Sequence, residues 1–121
     1  MSWTVEYHDD YLGELEAESQ AVQDEVLALA ELLAFRGPQL GRPHCDTLNG
    51  SAYPNMKELR FSQPDGEWRV AFAFDPARHA LLLVGGSKSG KNQRQFYKRL
   101  IRIADKRFSD HLETLGRNER N

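Results

Sequence analysis

Residues 57–84, KELRFSQPDGEWRVAFAFDPARHALLLV, decide the fold because they contain three apolar segments separated by two turn sequences. The turns are QPDG at 63–66 and DPAR at 75–78, and Pro, Asp and Gly in such short stretches typically connect antiparallel strands. The last segment is apolar on both faces, which favours a position inside the sheet. We therefore predict a three-stranded meander with strands at 57–61, 67–74 and 80–84.

The middle strand has two different faces. Large apolar side chains occupy alternate positions, at Trp68, Val70, Phe72 and Phe74. Because neighbouring residues of a strand point to opposite sides, Arg69, Ala71 and Ala73 share the other face. The large residues are expected to pack on helices, and the two small alanines predict a shallow, concave surface around Arg69.

The flanking segments complete an α+β pattern. Residues 3–7 alternate as a short strand, and residues 9–36 have a helical period that predicts two helices, or one broken near Glu18-Ser19. Ser19 is a suitable N-cap, and Gly37-Pro38 should end the helical segment. Residues 37–56 are predicted to be a long loop. A helix is predicted from Gln93 to about Leu115.

The predicted architecture is one compact α+β domain over residues 1–115, followed by a disordered tail at 116–121. An N-terminal strand and two helices pack on a mainly antiparallel four-stranded sheet, and a C-terminal helix follows. The length of 121 residues is that of a single domain.

Several classes of protein are not expected from the composition. No wholly apolar run is longer than that of 80–84, which is too short for a membrane span, and the first residues do not resemble a secretory leader. The single cysteine, Cys45, offers no internal disulfide. We expect a cytoplasmic protein with no metal and no small-molecule cofactor.

Charge is distributed unevenly along the chain. Residues 1–40 contain nine acids and one base, a net charge of −8, whereas residues 41–121 contain nine acids and fifteen bases, a net charge of +6. Such asymmetry predicts that one surface meets an anionic partner, or that two solvated faces simply differ in sign.

A phosphate-binding site is predicted on the meander. Arg60 and Arg69 can share a face, with Lys88 and Lys91 beyond the end of the next strand, and no acid is expected nearby. Cleavage of RNA requires neutralisation of the phosphate charge, a base for the 2′-hydroxyl and an acid for the 5′-oxygen. The candidate catalytic residues are Arg69, Arg60, Lys57, Lys88 and Tyr97. The candidate RNA or phosphate-binding residues are Lys91, Arg94, Lys98 and Arg102.

Two other motifs have weaker interpretations. Residues 85–92, GGSKSGKN, fit the GxxxxGK pattern of a P-loop, but Asn92 stands where Ser or Thr should bind magnesium. His44-Cys45 resembles a thiol protease pair, but neighbouring residues rarely face each other. We expect a Gly-rich, Lys-containing loop and a buried cysteine instead.

Together, several segments resemble the RelE/HigB-like toxins of type II toxin–antitoxin modules, in particular the phage-derived Gp49-like or HigB-type branch. They are LNGS (48–51), MKELRF (56–61), EWRVAFAFDP (67–76), VGGSK (84–88) and IAD (103–105). The resemblance implies a RelE-like fold and a toxin that cuts mRNA on the ribosome without a metal. A cognate antitoxin protein is the implied partner.

By this resemblance Arg69 corresponds to an arginine that contacts the scissile phosphate, Lys88 to a basic residue after the last strand and Tyr97 to a late aromatic residue. Glu58 stands where some of these nucleases carry a lysine, and strand alternation places Lys57 on the opposite face. The alternatives are a gyrase-directed, ParE-like toxin of the same fold and an inactive, prophage-derived protein that only binds an antitoxin. The basic stripe of Arg94, Lys98, Arg102 and Lys106 is an expected landing site for an acidic antitoxin.

Overall fold

The structure, a computed structural model, describes residues 2–90 and 92–120, with the backbone alone for 118–120. Within these residues the chain forms five strands, three α-helices and a short 3₁₀ turn at Gly37–Gln39. In chain order they are β1 (Thr4–Tyr7), α1 (Asp9–Glu16), α2 (Gln20–Arg36), β2 (Cys45–Thr47), β3 (Lys57–Gln63), β4 (Gly66–Phe74), β5 (His79–Ser87) and α3 (Gln93–Arg120).

The strands form one mixed sheet in the order β1-β5-β4-β3-β2. The meander β3-β4-β5 is antiparallel, and β1 pairs in parallel with β5. The predicted α+β class is confirmed, but the sheet of the described residues has five strands instead of four. The additional strand, β2, lies in the predicted loop, where three residues between Gly- and Pro-rich segments show no periodicity.

The first two helices agree with the sequence prediction. The Ser19 hydroxyl accepts a hydrogen bond from the Val22 N–H at 3.3 Å, and α2 ends at Arg36. Gly37 follows with φ of 57°, and a Cβ there would collide with the Trp3 ring. Only glycine therefore fits this helix end.

The core has one cluster on each face of the sheet. On the first face, α1 and α2 cover the large residues of β4, such as Val70 and Phe72. On the second face, α3 packs over Ala71 and Ala73 through Phe96, Leu100, Ala104 and Phe108. The prediction of an open, concave face is therefore wrong for most of β4, because the small alanines make room for a helix. The face stays polar at the start of β4, at Glu67 and Arg69.

The C-terminal helix extends to Arg120, so residues 116–120 are helical where the sequence predicts a disordered tail. Their polar residues are compatible with helix, and Gly116 does not end it. Asn121 lies outside the described residues.

A polar contact joins the β4–β5 turn to α3. The Oδ2 of the buried Asp75 side chain lies 2.7 Å from His111 Nε2. Among the described residues no helix is both long and apolar enough to cross a membrane.

Candidate active site

Arg69 is the centre of a polar cluster where β3, β4, β5 and the first turns of α3 meet. Its strand neighbours are Arg60 on β3 and Gly86 on β5, and only 3% of its side chain is exposed. The guanidinium donates to the Trp68 carbonyl at 2.9 Å and to the Tyr97 hydroxyl at 3.1 Å. Because these bonds hold it, the guanidinium is oriented before any ligand arrives.

Glu58 is the buried acid of this cluster and Glu67 an exposed one, and their presence corrects the prediction of a site without nearby acids. Its Oε2 lies 3.7 Å from Arg69 Nε and 3.5 Å from Arg60 Nε. Its Oε1 is buried and has no hydrogen-bond partner in the described part of the chain. Burial raises the pKa of Glu58, although the Tyr97 hydroxyl and the two arginines oppose that shift. A carboxylate with a raised pKa is a stronger proton acceptor than an exposed one.

Lys88 and Tyr97 complete the cluster beyond the end of β5. Lys88 Nζ lies over the Tyr97 ring, 5.4 Å from its centroid, and the Lys88 N–H donates to the Glu67 carbonyl at 2.7 Å. Burial and the Arg69 charge lower the pKa of Lys88, whereas burial raises the pKa of Tyr97. Lys88 therefore releases a proton more readily than an ordinary lysine, and Tyr97 retains its own.

The structure brings together four of the five predicted catalytic residues. Arg60, Arg69, Lys88 and Tyr97 meet, with Arg60 the more exposed of the two arginines at 30% of its side chain. Lys57 does not join them: it pairs with Phe72, on the face that α1 and α2 cover. Strand alternation causes this separation. Lys91, a predicted phosphate-binding residue, lies outside the described residues.

The start of the Gly-rich segment, Gly85 to Ser87, belongs to β5 and is not a phosphate loop. Gly85 and Gly86 pair with Val70 and Arg69 inside the antiparallel β4-β5 ladder. A Cβ on Gly85 would come within 3.1 Å of the Tyr11 hydroxyl. The glycines therefore serve close packing, and the P-loop interpretation, which requires a parallel sheet, is excluded.

A pocket of about 350 Å³ opens beside Glu58 and Tyr97. Its other wall is formed by the end of β2, at Asp46 and Thr47, and by the next two residues, Leu48 and Asn49. A pocket of this volume next to a charged cluster is large enough to admit part of a nucleotide chain. The pocket thus gives an outside ligand access to the Glu58 carboxylate.

The remaining predicted cations lie on the outer side of α3. Arg94, Lys98 and Arg102 are exposed, opposite the buried line of Phe96 and Leu100. Lys106 is exposed too, but it forms an ion pair of 2.9 Å with Asp110. These residues border the cluster and do not enter it.

Comparison with known proteins identifies the family. The family model of the phage-derived Gp49-like proteins matches residues 11–109. The chain belongs to this family. Two Mycobacterium tuberculosis H37Rv proteins named as putative toxins are similar to it: HigB2, 44% identical over 93% of this chain, and HigB3, 49% identical over 72%. The chain spans 55% of the length of HigB2 and 74% of that of HigB3. The predicted relationship to RelE/HigB-like toxins is thereby confirmed.

The solved structures support the same fold. A free, double-arginine mutant of the Escherichia coli toxin RelE superposes with a TM-score of 0.57, over 84% of this chain and 95% of that one. The two sequences are only 9% identical, so this likeness concerns the fold. The Gp49-like domain therefore has a RelE-type fold.

Sequence reasoning missed two features of this Gp49-like domain. Glu58 stands out in the sequence as a departure from related nucleases and not as a site residue, although it shares a face with Arg60. Asp105 binds the loop after β2: its Oδ1 accepts from the Ser51 hydroxyl at 2.5 Å and its Oδ2 from the Ala52 N–H at 2.9 Å. Ser51 and Asp105 both lie in segments that carry the family resemblance. That shared membership is the sequence signal that could have indicated their contact.

The His44-Cys45 pair has no catalytic arrangement. Cys45 is buried, and burial raises the pKa of its thiol to about 11. A thiol with that pKa is not a thiolate near neutral pH, so it is a poor nucleophile. The expectation of a buried structural cysteine is confirmed.

Proposed function

We propose that this Gp49-like protein is a cytoplasmic toxin that cuts mRNA on the ribosome and is neutralised by a cognate antitoxin. The observation that carries the proposal is a buried Arg69 guanidinium beside a Glu58 carboxylate with one free oxygen, at the edge of an open pocket. A preorganised cation next to a desolvated base is the arrangement that phosphodiester transfer requires. The similarity to proteins named as HigB toxins supports the same conclusion.

Each step of the proposed cleavage has a residue in this cluster. The 2′-hydroxyl loses its proton to Glu58, and its oxygen forms a bond to phosphorus. Arg69 and Arg60 stabilise the charge on the phosphate oxygens. The bond from phosphorus to the 5′-oxygen breaks, and Lys88, whose pKa is lowered, gives that oxygen a proton. Tyr97 holds Arg69 in place. The products are a 2′,3′-cyclic phosphate and a 5′-hydroxyl. The arginines and Lys88 stabilise the phosphate charge that a metal ion stabilises in other nucleases.

The decisive experiment expresses the protein in cells and maps new mRNA 5′ ends together with protein synthesis. We expect cuts within translated codons and falling translation with the wild type. Glu58→Gln should abolish both effects, because Gln keeps the shape of the side chain but cannot accept the proton. Tyr97→Phe should reduce the cleavage rate by about tenfold, since it removes one bond that orients Arg69.

The matched control is Arg36→Ala, which removes an exposed arginine at the end of α2, outside the cluster. It should cut as the wild type does. Arg69→Ala is a less direct test, because removal of a buried partner leaves the Glu58 charge uncompensated and threatens folding. Growth arrest with intact transcripts and stalled gyrase would point to a ParE-like target. Absence of arrest would indicate a protein that only binds its antitoxin.

A further inference from the structure

A groove of about 700 Å³ runs between α2 and β3, beside the catalytic cluster. Ala28, Leu29 and Leu32 form the helix wall, while Pro43 and Phe61 form the opposite wall. Its floor and sides are therefore largely apolar. A groove with these walls has the shape and chemistry to receive the apolar side of a protein segment.

An exposed aromatic residue lies on the same side of α2 as the helix wall of this groove. Phe35 follows Leu32 by three residues, so it is the next residue along the same side of α2. Its exposed fraction is 77%, the highest of the large apolar residues exposed in the described chain. A phenylalanine this exposed beside an apolar groove is typical of an interaction surface.

The charges around the groove differ between its two walls. Arg42 and Arg60 lie with Glu67 on the β3 side, whereas Glu25 lies on the α2 side. Both arginines contact Asp46, at 2.7 Å and 3.9 Å, but their side chains stay 75% and 30% exposed and can still meet an outside acid. A complementary segment is apolar along its centre, acidic along the edge that meets the arginines, and basic along the edge that meets α2. RNA is a poorer match, because its phosphates would face the acidic helix α2.

The groove also connects with the catalytic cluster. Arg60 and Glu67 line its end, and both belong to the contacts of the site: Arg60 Nε is 3.5 Å from Glu58, and Glu67 is 3.7 Å from Arg69 Nη1. An acidic side chain that binds Arg60 here competes with Glu58 for the guanidinium. Occupation of the groove can therefore disturb the phosphate site without covering it.

We propose that this groove binds an amphipathic segment of the cognate antitoxin, with apolar side chains on Leu32 and Phe35 and an acidic edge on Arg42 and Arg60. The inference rests on the proposed function, since it requires an antitoxin. A second copy of the chain is a poorer occupant. Its other exposed large apolar residues, Leu12 and Leu27, lie on the acidic helices α1 and α2, and would bring like charges together.

The test measures the affinity of the purified chain for the protein encoded by the neighbouring gene, obtained by co-expression of the two-gene module. Phe35→Asp should raise the dissociation constant by at least about thirtyfold, as removal of a central aromatic side chain does. Arg42→Glu should raise it less, and its effect should shrink at high salt. Because the Phe35 side chain is exposed, Phe35→Asp should not change the melting temperature. Arg42→Glu also breaks the exposed ion pair with Asp46, so a small fall of its melting temperature is expected and is measured beside the affinity.

Leu27→Asp is the matched control. Leu27 is the other exposed large apolar residue of the same helix, at 54%, but it lies about 140° around the helix axis from Leu32, away from the groove. The affinity of this variant should stay within about twofold of the wild type. In cells, Phe35→Asp should stay toxic but should no longer be rescued by the partner.

Each other result overturns the inference in a distinguishable way. Equal binding of wild type and Phe35→Asp places the antitoxin elsewhere but leaves the toxin function intact. Absence of binding to the wild type removes both the groove proposal and the antitoxin. A dimer that dissociates on Phe35→Asp, with unchanged affinity for the partner, assigns the groove to a second copy.

Discussion

The sequence predicts the position of single site residues through strand alternation, which gives the face of the sheet on which each side chain lies. Alternation correctly separates Lys57 from Arg60 and Arg69, and it places Glu58 with the arginines. Alternation does not predict burial. Cations on strands are usually exposed, but Arg69 is buried because α3 and Tyr97 cover it. The acid–base character of Glu58 depends on that burial, so the sequence alone could not indicate it.

The buried Glu58 makes stability depend on pH in a specific direction. Its folded-state pKa is raised above its ordinary value of 4.5, so the folded chain binds this proton more tightly than the unfolded chain. Stability from this group is therefore lost as the pH rises from about 4.5 through the raised pKa. In Glu58→Gln the contribution is absent.

We expect the free energy of unfolding of the wild type, minus that of Glu58→Gln, to fall as the pH rises through this window. Urea unfolding of both proteins from about pH 4 to about pH 8 measures the difference. Comparison of the two proteins cancels the opposite slope from groups with lowered pKa, such as Asp75 and Glu14. A difference that increases with pH would show that ion pairing with the arginines outweighs burial.

At the level of elements, periodicity predicts the parts and tertiary contact decides how they meet. The two first helices, the meander and the last helix all begin close to the predicted residues. β2 was missed because three residues give no period, and its strand is formed by pairing with β3. The packing of α3 over Ala71 and Ala73 was also missed, since small residues can indicate either an open floor or a covering helix.

Asp105 joins α3 to the loop beside the pocket. It binds Ser51 and Ala52, in the loop that follows Thr47 and includes the pocket residues Leu48 and Asn49. Asp105→Ala should release the loop, raise amide hydrogen exchange at 48–56, and slow mRNA cleavage by about tenfold. Asp105→Asn, which keeps an acceptor for the Ala52 N–H, should restore part of the rate.

The control for this positioning role is Asp110→Ala, on the same helix, which breaks the exposed ion pair with Lys106. Its exchange pattern and its cleavage rate should match those of the wild type. Faster exchange in Asp105→Ala without any change in cleavage would restrict Asp105 to a structural role.

Over the whole molecule, the uneven charge of the sequence becomes a separation in space. The acidic residues of 1–40 lie mainly on α1 and α2, and these helices cover one face of the sheet, while the basic helix α3 covers the other. An anionic RNA is attracted to the α3 side and repelled from the α1–α2 side. Under the proposed function, this separation would turn the Arg69 cluster, which lies at the start of α3, toward its RNA substrate.

The stripe of Arg94, Lys98 and Arg102 should supply part of this attraction, through ion pairs with phosphates that release counterions. We expect that replacing all three by alanine weakens binding to mRNA-loaded ribosomes and lowers the slope of log K against log salt by about 0.7 for each phosphate that no longer meets a cation. The melting temperature should hold, because all three side chains are exposed. Arg36→Ala, which removes a cation from the acidic side, should leave the slope unchanged. If the triple variant keeps the wild-type slope but binds the antitoxin more weakly, the stripe serves the protein partner, as its spacing also allows.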